Sequence, residues 1–484
     1  MALGFAVTFY AVVVVNLALP SIGDEFGGAL AGLQWITSAY LLTLAALLMP
    51  GGSAGDLLGR RRIFLVGAGV FAAGSVGCAL GPSLSLLVAA RLVQGAGAAL
   101  MAPAVLAIID TSFVPADRGR AIAVWTSGSA AASAVCPLLG GWVVDAIHWR
   151  WMFLVPLPLV AAAAWVTVRC VPRSRDDNLG RHLDLLSAGL ALVAVSGIVF
   201  ALVQGPSWGV VHPGVAAAGV IGAAGVVALV FAQHRNDPMI PSRLFRSRQF
   251  SGANLLTLLV EGAIGAAFFF TAIQFQSLLG YSALAAGAAL VPMQLVIFVL
   301  SPGAGTFANR FGPRWLITAG PLVVAAGMVT LALVGDGARY ALHVLPGVVL
   351  LGLGMAALVG PVVASVFATV GEEDVGIAAA MNNTLARTGA LLAVSFLPYA
   401  AGMTGNAEAV VFSAGYQRAM LIAAGGCVLA AVIGCVTVGR CVPLYTSRPA
   451  IPAMVCSMQS LPAEVPDALE PDKWDRMGEL GEGG

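Results

Sequence analysis

Three ionisable residues lie far inside long apolar segments of this sequence: Arg91, Glu261 and Arg387. Glu261 comes eleven residues into its segment, which on a helix is about 16 Å in, near the middle of a membrane. An ionised carboxylate is costly at that depth unless a cation or water compensates it, so Glu261 is a candidate proton carrier. The alternative is a carboxyl group kept protonated or hydrogen-bonded for packing. Arg387 has a similar depth and could pair with Glu261, although spacing cannot show adjacency.

The composition indicates a polytopic membrane protein. Of 484 residues, 59% are hydrophobic and 10% are charged, and the mean hydropathy is +0.93. A soluble protein would carry about a quarter charged residues, so most of this chain must face lipid or other helices. The net charge is +1, which argues against nucleic acid as a partner.

Fourteen apolar segments are long enough to cross a membrane, which takes about 20 residues for about 30 Å of hydrocarbon. They are far too long for the strands of a barrel, so the predicted fold is all-α. The segments cover residues 3–21, 34–53, 63–82, 86–109, 120–144, 150–170, 185–204, 214–233, 250–273, 284–304, 315–334, 342–367, 375–400 and 416–438.

Arginines in the connections predict the orientation of these helices. With the N-terminus inside, the internal connections hold fourteen arginines and the external ones hold three. Positive residues are retained on the cytoplasmic side, so both termini are predicted to be cytoplasmic in a multi-pass protein of the plasma membrane.

The connection between the second and third segments is short, charged and rich in glycine. Two helices that leave a membrane on the same side need a tight turn, in which glycine lets the backbones approach and arginine keeps the turn in the cytoplasm. The same spacing returns 253 residues later. The first copy contains Gly52, Asp56, Gly59, Arg60 and Arg61, and the second contains Gly305, Asn309, Arg310, Gly312 and Arg314.

This loop resembles the signature loop between the second and third helices of the major facilitator superfamily of transporters. The resemblance implies two six-helix bundles that rock about a central site, latched at the cytoplasmic face by the loop with Asp56 and Arg60. In the fourth segment, Arg91, Gln94 and the two glycines that follow resemble the superfamily's arginine motif. By resemblance, Arg91 orders polar groups near a proton pathway; a guanidinium inside a membrane should face a cavity or a partner.

The end of the first segment resembles the first-helix motif of the fourteen-helix drug:proton antiporter branch of that superfamily. The resemblance rests on Asn16 and Pro20. That branch usually places an aspartate five residues before the asparagine, where this sequence has Ala11. A common proton-handling carboxylate is therefore missing.

The fifth segment partly matches the antiporter signature of the same family. Pro137, Gly140 and Gly141 are retained, whereas Ala132 and Cys136 stand where the signature has glycine. Small residues let a helix pack closely on its neighbour, and proline bends it. The partial match favours antiport over symport.

The apolar segments group as six, two and six, which is the arrangement of the fourteen-helix branch. We predict an N-terminal six-helix bundle, a cytoplasmic link with two extra central transmembrane helices, a C-terminal six-helix bundle and a disordered cytoplasmic tail. These parts cover residues 1–171, 172–249, 250–438 and 439–484.

Polar residues in or near the spans are candidates for lining a cavity, although most are expected to pair with backbone or with each other. They include Asn16, Gln94, Gln274, Asn382 and Asn383. The seven cysteines have no metal-ligand spacing, and the sequence has no nucleotide-binding loop. We therefore expect no metal, no cofactor and no use of ATP.

The favoured hypothesis is a non-enzymatic, proton-coupled exporter of small amphipathic compounds, similar to multidrug or antibiotic efflux pumps. Its expected partners are a small-molecule substrate, protons and the lipid bilayer, and we expect a monomer. Two alternatives remain at this point. One is a proton-coupled symporter that imports a metabolite. The other is a membrane sensor or scaffold without transport, which the replacement at Ala11 and the altered antiporter glycines favour.

Overall fold

A computed structural model of the chain describes residues 2–27, 29–112, 115–171, 184–209, 211–234, 241–371, 374–403 and 409–439. Its long helices follow the predicted apolar segments closely. They are α1 (Ala2–Phe26), α2 (Leu30–Leu58), α3 (Arg60–Leu80), α4 (Leu84–Ser112), α5 (Pro115–Ala146), α6 (Pro156–Cys170), α7 (Leu185–Trp208), α8 (Pro213–Ala232), α9 (Arg248–Ser277), α10 (Ala283–Phe311), α11 (Pro313–Ala332), α12 (Leu345–Phe367), α13 (Val375–Ala400) and α14 (Ala409–Thr437).

Twelve of the helices in the described part of the chain are long and apolar enough to cross a membrane. The other two are α5, whose described apolar part is Ala131–Ala146, and α13, which contains Asn382, Asn383 and Arg387. Polar residues on a membrane helix require neighbours that screen them from lipid. The predicted all-α fold, with two six-helix bundles and two extra helices, is confirmed.

The boundaries of the predicted parts stay predictions. Most of the cytoplasmic link, residues 172–183, and nearly all of the predicted tail, residues 440–484, lie outside the described residues.

The two sets of six helices repeat one packing scheme. In the first set, α4 packs on α2 and α3, α1 packs on α5 and α6, and α3 packs on α6. In the second set, α12 packs on α10 and α11, α9 packs on α13 and α14, and α11 packs on α14. The sets meet where α5 contacts α10 and where α2 contacts α13, and the same repeat relates these two interfaces. The sequence echo therefore corresponds to an internal duplication of the fold.

A single glycine separates the paired helices at the repeated loop. Gly59 stands between α2 and α3 with φ of 99°, and Gly312 stands between α10 and α11 with φ of 87°. Only glycine adopts this backbone region without steric cost, so the spacing of the loop depends on it. We call this end of the helix assembly the Gly59 end. The opposite end, which carries the α5–α6 connection, is called the Trp149 end.

Glycines on α4 bring this helix to backbone distance from two neighbours. A Cβ added at Gly95 would meet the main-chain carbonyl of Tyr40 on α2, and one added at Gly97 would meet the backbone of Phe71 on α3. Small residues at such contacts are the usual basis of helix association in lipid. Both glycines belong to the arginine motif, so the motif also sets the position of α4.

The two extra helices form a hairpin whose first helix, α7, packs on both α2 and α13. The hairpin is held by a glycine contact, because a Cβ on Gly197 would lie 2.7 Å from the backbone nitrogen of Gly222. The rings of Trp35 on α2 and Phe200 on α7 have centroids 6.0 Å apart. The hairpin therefore lies beside the α2–α13 interface.

Helices α9 and α13 cross at backbone contact beside two ionisable residues. A Cβ on Gly389 would meet the carbonyl group of Leu258, and one on Gly262 would lie 3.0 Å from the carbonyl oxygen of Gly389. Gly262 follows Glu261 directly, and Gly389 comes two residues after Arg387. The crossing therefore sets Glu261 and Arg387 at the same level.

Replacing Gly389 with alanine tests this crossing. We expect Gly389→Ala to lower the free energy of unfolding by about 1–3 kcal/mol, because the obstacle is backbone that cannot move aside. The matched control on the same helix is Gly376→Ala, since nothing lies within 4 Å of a Cβ at that position. Thermal unfolding of the purified protein in detergent measures both. Equal midpoints for the two variants would contradict the assigned contact.

Candidate functional site

Arg91 is a buried cation that joins three helices of the first bundle. Its side chain is 1% exposed. Nε donates to the carbonyl oxygen of Ile36 at 3.0 Å, and Nη2 donates to that of Ala11 at 3.2 Å. Nη1 donates to Oε1 of Gln94 at 2.6 Å. Among the described residues its acceptors are carbonyl and amide oxygens, with no carboxylate.

The polar network around Arg91 continues to α3. Gln94 is 1% exposed, and its Nε2 donates to Oγ of Ser75 at 2.8 Å. A small cavity of about 10 Å³, room for about one water molecule, lies beside the network and is lined in part by Tyr10, Ala11 and Gln94. Hydrogen bonds therefore fix the polar side chains around Arg91. The role of Arg91 in proton coupling stays a prediction.

Tyr40 lies between the two arginines that were predicted from the sequence. The Cζ atom of Arg91 is 4.4 Å from the centroid of the Tyr40 ring, which is fully buried. Arg387 lies on α13, which packs on α2, the helix of Tyr40, and on α9, the helix of Glu261. No ion pair within 4.0 Å joins Glu261 and Arg387 in the described structure. We call Arg91, Tyr40, Glu261 and Arg387, which lie on these packed helices, the cluster at the α2–α13 interface; the role of its ionisable members in proton coupling stays a prediction.

A second polar contact joins α9 and α13 closer to the Gly59 end. Nδ2 of Asn382 donates to Oδ1 of Asn254 at 3.2 Å and to Oγ1 of Thr257 at 2.9 Å. Asn382 lies five residues before Arg387, and Thr257 lies four before Glu261. The two polar layers lie one above the other on the same pair of helices.

The other cavity candidates are hydrogen-bonded where they lie. Oδ1 of Asn16 accepts from Oγ1 of Thr37 at 3.2 Å, and Nε2 of Gln274 donates to Oγ of Ser413 at 3.3 Å. Asn383 is exposed and donates to a carbonyl of its own helix. Whether any of them lines a substrate path stays a prediction. Within the described residues, no group of His, Cys, Asp and Glu could hold a metal ion.

The predicted latch loop makes its contacts at the Gly59 end of the first bundle. Oδ1 of Asp56 accepts from Nε of Arg60 at 3.1 Å. Arg61 donates to the carbonyl oxygens of Val168 and Val171 at 2.8 and 3.0 Å, which caps the last turn of α6. Gly52, at the start of the loop motif, packs on Pro103 of α4. The loop thus joins α2, α3, α4 and α6, and its function as a latch between the bundles stays a prediction.

The antiporter-like residues of α5 face both halves of the molecule. A Cβ on Gly140 would meet the side chain of Val14 on α1, and one on Gly141 would lie 2.6 Å from Cα of Leu284 on α10. Cys136 is buried in the same core. Small residues are therefore required here for close packing, as the sequence predicts.

Two interfaces hold the halves together towards the Trp149 end. Where α5 meets α10, a Cβ on Gly287 would lie 2.5 Å from the carbonyl oxygen of Pro137. Where α2 meets α13, Nε2 of Gln34 donates to the carbonyl oxygen of Val394 at 2.9 Å. One interface is thus a backbone contact and the other includes a buried hydrogen bond.

Comparison with known families identifies this architecture. The profile of the Major Facilitator Superfamily matches residues 1–394. The chain belongs to the major facilitator superfamily. It is therefore a membrane transporter, and not an enzyme.

Several relatives of this transporter are named for resistance to antibiotics or drugs. The puromycin resistance protein pur8 of Streptomyces alboniger is 35% identical over 390 residues, 79% of this chain and 77% of that protein. The methylenomycin A resistance protein of Streptomyces coelicolor is 31% identical over 399 residues, which cover 82% of this chain and 83% of that protein. The multidrug resistance protein Stp of Mycobacterium tuberculosis is 31% identical over 397 residues, which cover 82% of this chain and 73% of that protein.

Solved structures share the fold of this superfamily member at low identity. A bacterial homologue of the human lysosomal transporter Spinster, in an inward-facing and unoccupied conformation, aligns with a TM-score of 0.64 and 18% identity over 90% of this chain and 95% of that one. The POT family transporter PepTSo aligns with a TM-score of 0.65 and 14% identity over 90% of this chain and 96% of that one. At these identities the likeness concerns the fold alone.

The sequence did not predict Tyr40 as a site residue. Its ring contacts Arg91 of the first half, and its helix, α2, packs on α13, which carries Arg387 of the second half. A tyrosine within an apolar segment gives no signal of its own, because aromatic residues are common in membrane helices. Its position becomes visible only when α2, α4 and α13 are assembled. The hydroxyl group of Tyr40 donates to the carbonyl oxygen of Thr8 at 3.3 Å, so its ring is also held from α1.

Exchanging Arg91 for lysine tests the hydrogen-bonded role of its guanidinium. Lysine keeps the charge but cannot reach carbonyl groups on two helices at once, so we expect Arg91→Lys to lower the free energy of unfolding by about 2 kcal/mol. Arg62→Lys is the control, because Arg62 is exposed. Thermal unfolding in detergent measures both variants. A midpoint for Arg91→Lys equal to that of Arg62→Lys would show that the network contributes nothing.

The electrostatic link between Glu261 and Arg387 predicts non-additive variants. Glu261→Gln and Arg387→Gln each leave one half-buried ionisable group without the opposite charge on the packed helix, whereas the double variant removes both charges. We expect the double variant to be less destabilised than the sum of the single ones, by about 0.5–3 kcal/mol. Unfolding midpoints of the four proteins complete the cycle. Strict additivity would mean that the two charges do not interact.

Proposed function

We propose that this transporter is a proton-coupled exporter of small amphipathic compounds, such as drugs or antibiotics, and works by alternating access. The observation that carries the proposal is that α13, with Arg387, packs both on α9, with Glu261, and on α2, whose Tyr40 contacts Arg91. A titratable carboxyl group at an interface that must rearrange can link a proton to that rearrangement. The names of the relatives support export as the direction of transport.

The cluster suggests how one proton could change the balance between two conformations. While Glu261 is ionised, its charge offsets that of Arg387. When Glu261 takes up a proton, Arg387 is no longer offset, and its field acts on Tyr40 and towards Arg91 on the other half. Like charges held in a low-dielectric interior repel strongly. Protonation therefore favours a conformation in which the halves shift at this interface, and only such a difference between conformations can move the equilibrium.

The same proposal places the Gly59 end in the cytoplasm. The arginines of the connections support this orientation, with both termini cytoplasmic in the plasma membrane. The loop with Asp56 and Arg60 would then latch the bundles on the cytoplasmic side, and the Trp149 end would face outwards. We propose that a single chain carries out the cycle.

Uptake into inside-out vesicles tests the proposal. Respiration acidifies the vesicle interior, so an antiporter accumulates its substrate there while protons leave. Puromycin and methylenomycin A are the first compounds to try, followed by a panel of amphipathic drugs. We expect accumulation that stops when the proton gradient is collapsed. A symporter would instead expel the compound from the vesicles together with protons, and a sensor or scaffold would move none.

A matched pair of variants separates export from the assigned proton carrier. We expect Glu261→Gln to lose gradient-driven accumulation while Asp336→Asn, which changes an exposed carboxylate in a connection, retains it. Both variants should be present in the membrane at the level of the intact chain. Normal coupling in Glu261→Gln would exclude Glu261 as the proton carrier and leave export itself intact.

A further inference from the structure

Asp145 makes a contact between the two halves that the proposed proton cluster does not use. It lies in the last turn of α5, at the Trp149 end. Its Oδ1 accepts from the backbone N–H of Ala283 at 2.9 Å, and its Oδ2 accepts from that of Leu284 at 2.8 Å. Both N–H groups belong to the first turn of α10. A carboxylate of the first half thus caps a helix of the second half.

This cap is additional to the one that α10 already has. Ser282 precedes the helix, and its Oγ accepts from the backbone N–H of Ala285 at 3.2 Å. A helix start needs such partners for its free N–H groups, and a serine at this position is a usual one. Because Ser282 supplies a local cap, the carboxylate from α5 acts chiefly as a tie between the helices.

The internal repeat shows that this carboxylate is present at one interface and not at its equivalent. At this interface the repeat pairs Pro137 with Val394, an offset of 257 residues, so Asp145 corresponds to Gly402, which has no side-chain acceptor. Helix α2, the counterpart of α10, begins after Ala29 without any side-chain cap. The α2–α13 interface uses the neutral hydrogen bond from Gln34 instead. The duplicated framework therefore does not require Asp145.

Backbone packing beside Asp145 leaves little room for the helices to slide. Gly141, one turn earlier on α5, is in contact distance of Leu284 on α10. The two hydrogen bonds therefore hold only while the two helix ends stay together. Ionised acceptors make stronger hydrogen bonds than neutral ones, and the partial positive charge of a helix start adds to the attraction.

We propose that Asp145 is an ionic latch that closes the two halves at the Trp149 end and releases when that end opens. Asp145 is a positioning residue in this role, because it acts on the conformation rather than on a substrate. The inference rests on alternating access as proposed above. It adds a charged contact opposite the Gly59 end, where the loop with Asp56 and Arg60 lies.

Hydrogen–deuterium exchange of the full chain in lipid nanodiscs tests the latch. We expect Asp145→Ala to raise exchange by at least about threefold both in residues 281–288, which hold its partners, and in residues 30–38 of the distant α2–α13 interface. The second segment is informative because Asp145 does not contact it, so it responds only if the halves separate. Ser282→Ala is the control and should raise exchange in residues 281–288 alone.

Two results would overturn the latch. If exchange in Asp145→Ala is faster only in residues 281–288, Asp145 is a local helix cap and not a latch. If exchange is unchanged in both segments, the carboxylate does not stabilise the start of α10 either. Asp145→Asn, which keeps the size and one acceptor, should lie between the intact chain and Asp145→Ala, and it serves if the alanine variant does not fold. The measurement uses neither substrate nor gradient, so failure of export and failure of the latch are distinguishable.

Discussion

A polar group within hydrocarbon must find its partner within the protein, because lipid offers none. Arg91 shows what this demands, since its guanidinium takes carbonyl oxygens from α1 and α2 and an amide oxygen from α4. Those acceptors are reachable only because the helices approach to backbone distance. Gly95, four residues after Arg91, provides that approach against Tyr40. Buried charge and close glycine packing are therefore parts of a single arrangement, and neither would be stable in lipid without the other.

The repeat duplicates the framework but not its charges. Helix pairings, the turns at Gly59 and Gly312, and the two interfaces between the halves all recur. The ionisable residues within the spans do not recur: the position that corresponds to Glu261 in the first half is Thr8, and the one that corresponds to Arg91 in the second half is Val348. The first half thus holds a buried cation fixed by carbonyl groups, while the second holds a carboxyl group and a cation on two packed helices, α9 and α13. In the proposed cycle this difference lets the two halves respond differently when a proton binds.

Much of the fold could be predicted from the sequence, because hydropathy fixes which residues enter lipid. The segment predicted at 375–400 is α13, Val375–Ala400, whereas the last segment, predicted at 416–438, begins earlier, at Ala409. A helix can extend beyond its apolar part, and hydropathy does not register that extension. The ionisable residues of the site were also visible, since charge inside an apolar run is conspicuous. Tyr40 and Asp145 were not, because their importance lies in partners on other helices, and no periodicity encodes a contact between separate helices.

In the proposed mechanism, Ala11 is the reason for placing the titratable group in the second half. The main-chain carbonyl of Ala11 accepts a hydrogen bond from Arg91, and the resemblance to the fourteen-helix branch implies an aspartate at this position, where this chain has none. Without that carboxylate, the partners of Arg91 are groups that do not change charge near neutral pH. The charge of the first half is then constant through a cycle. In the proposed mechanism a change in the field at Tyr40 comes from α9 and α13, which carry Glu261 and Arg387, and the α2–α13 interface is then where the two halves respond to a proton.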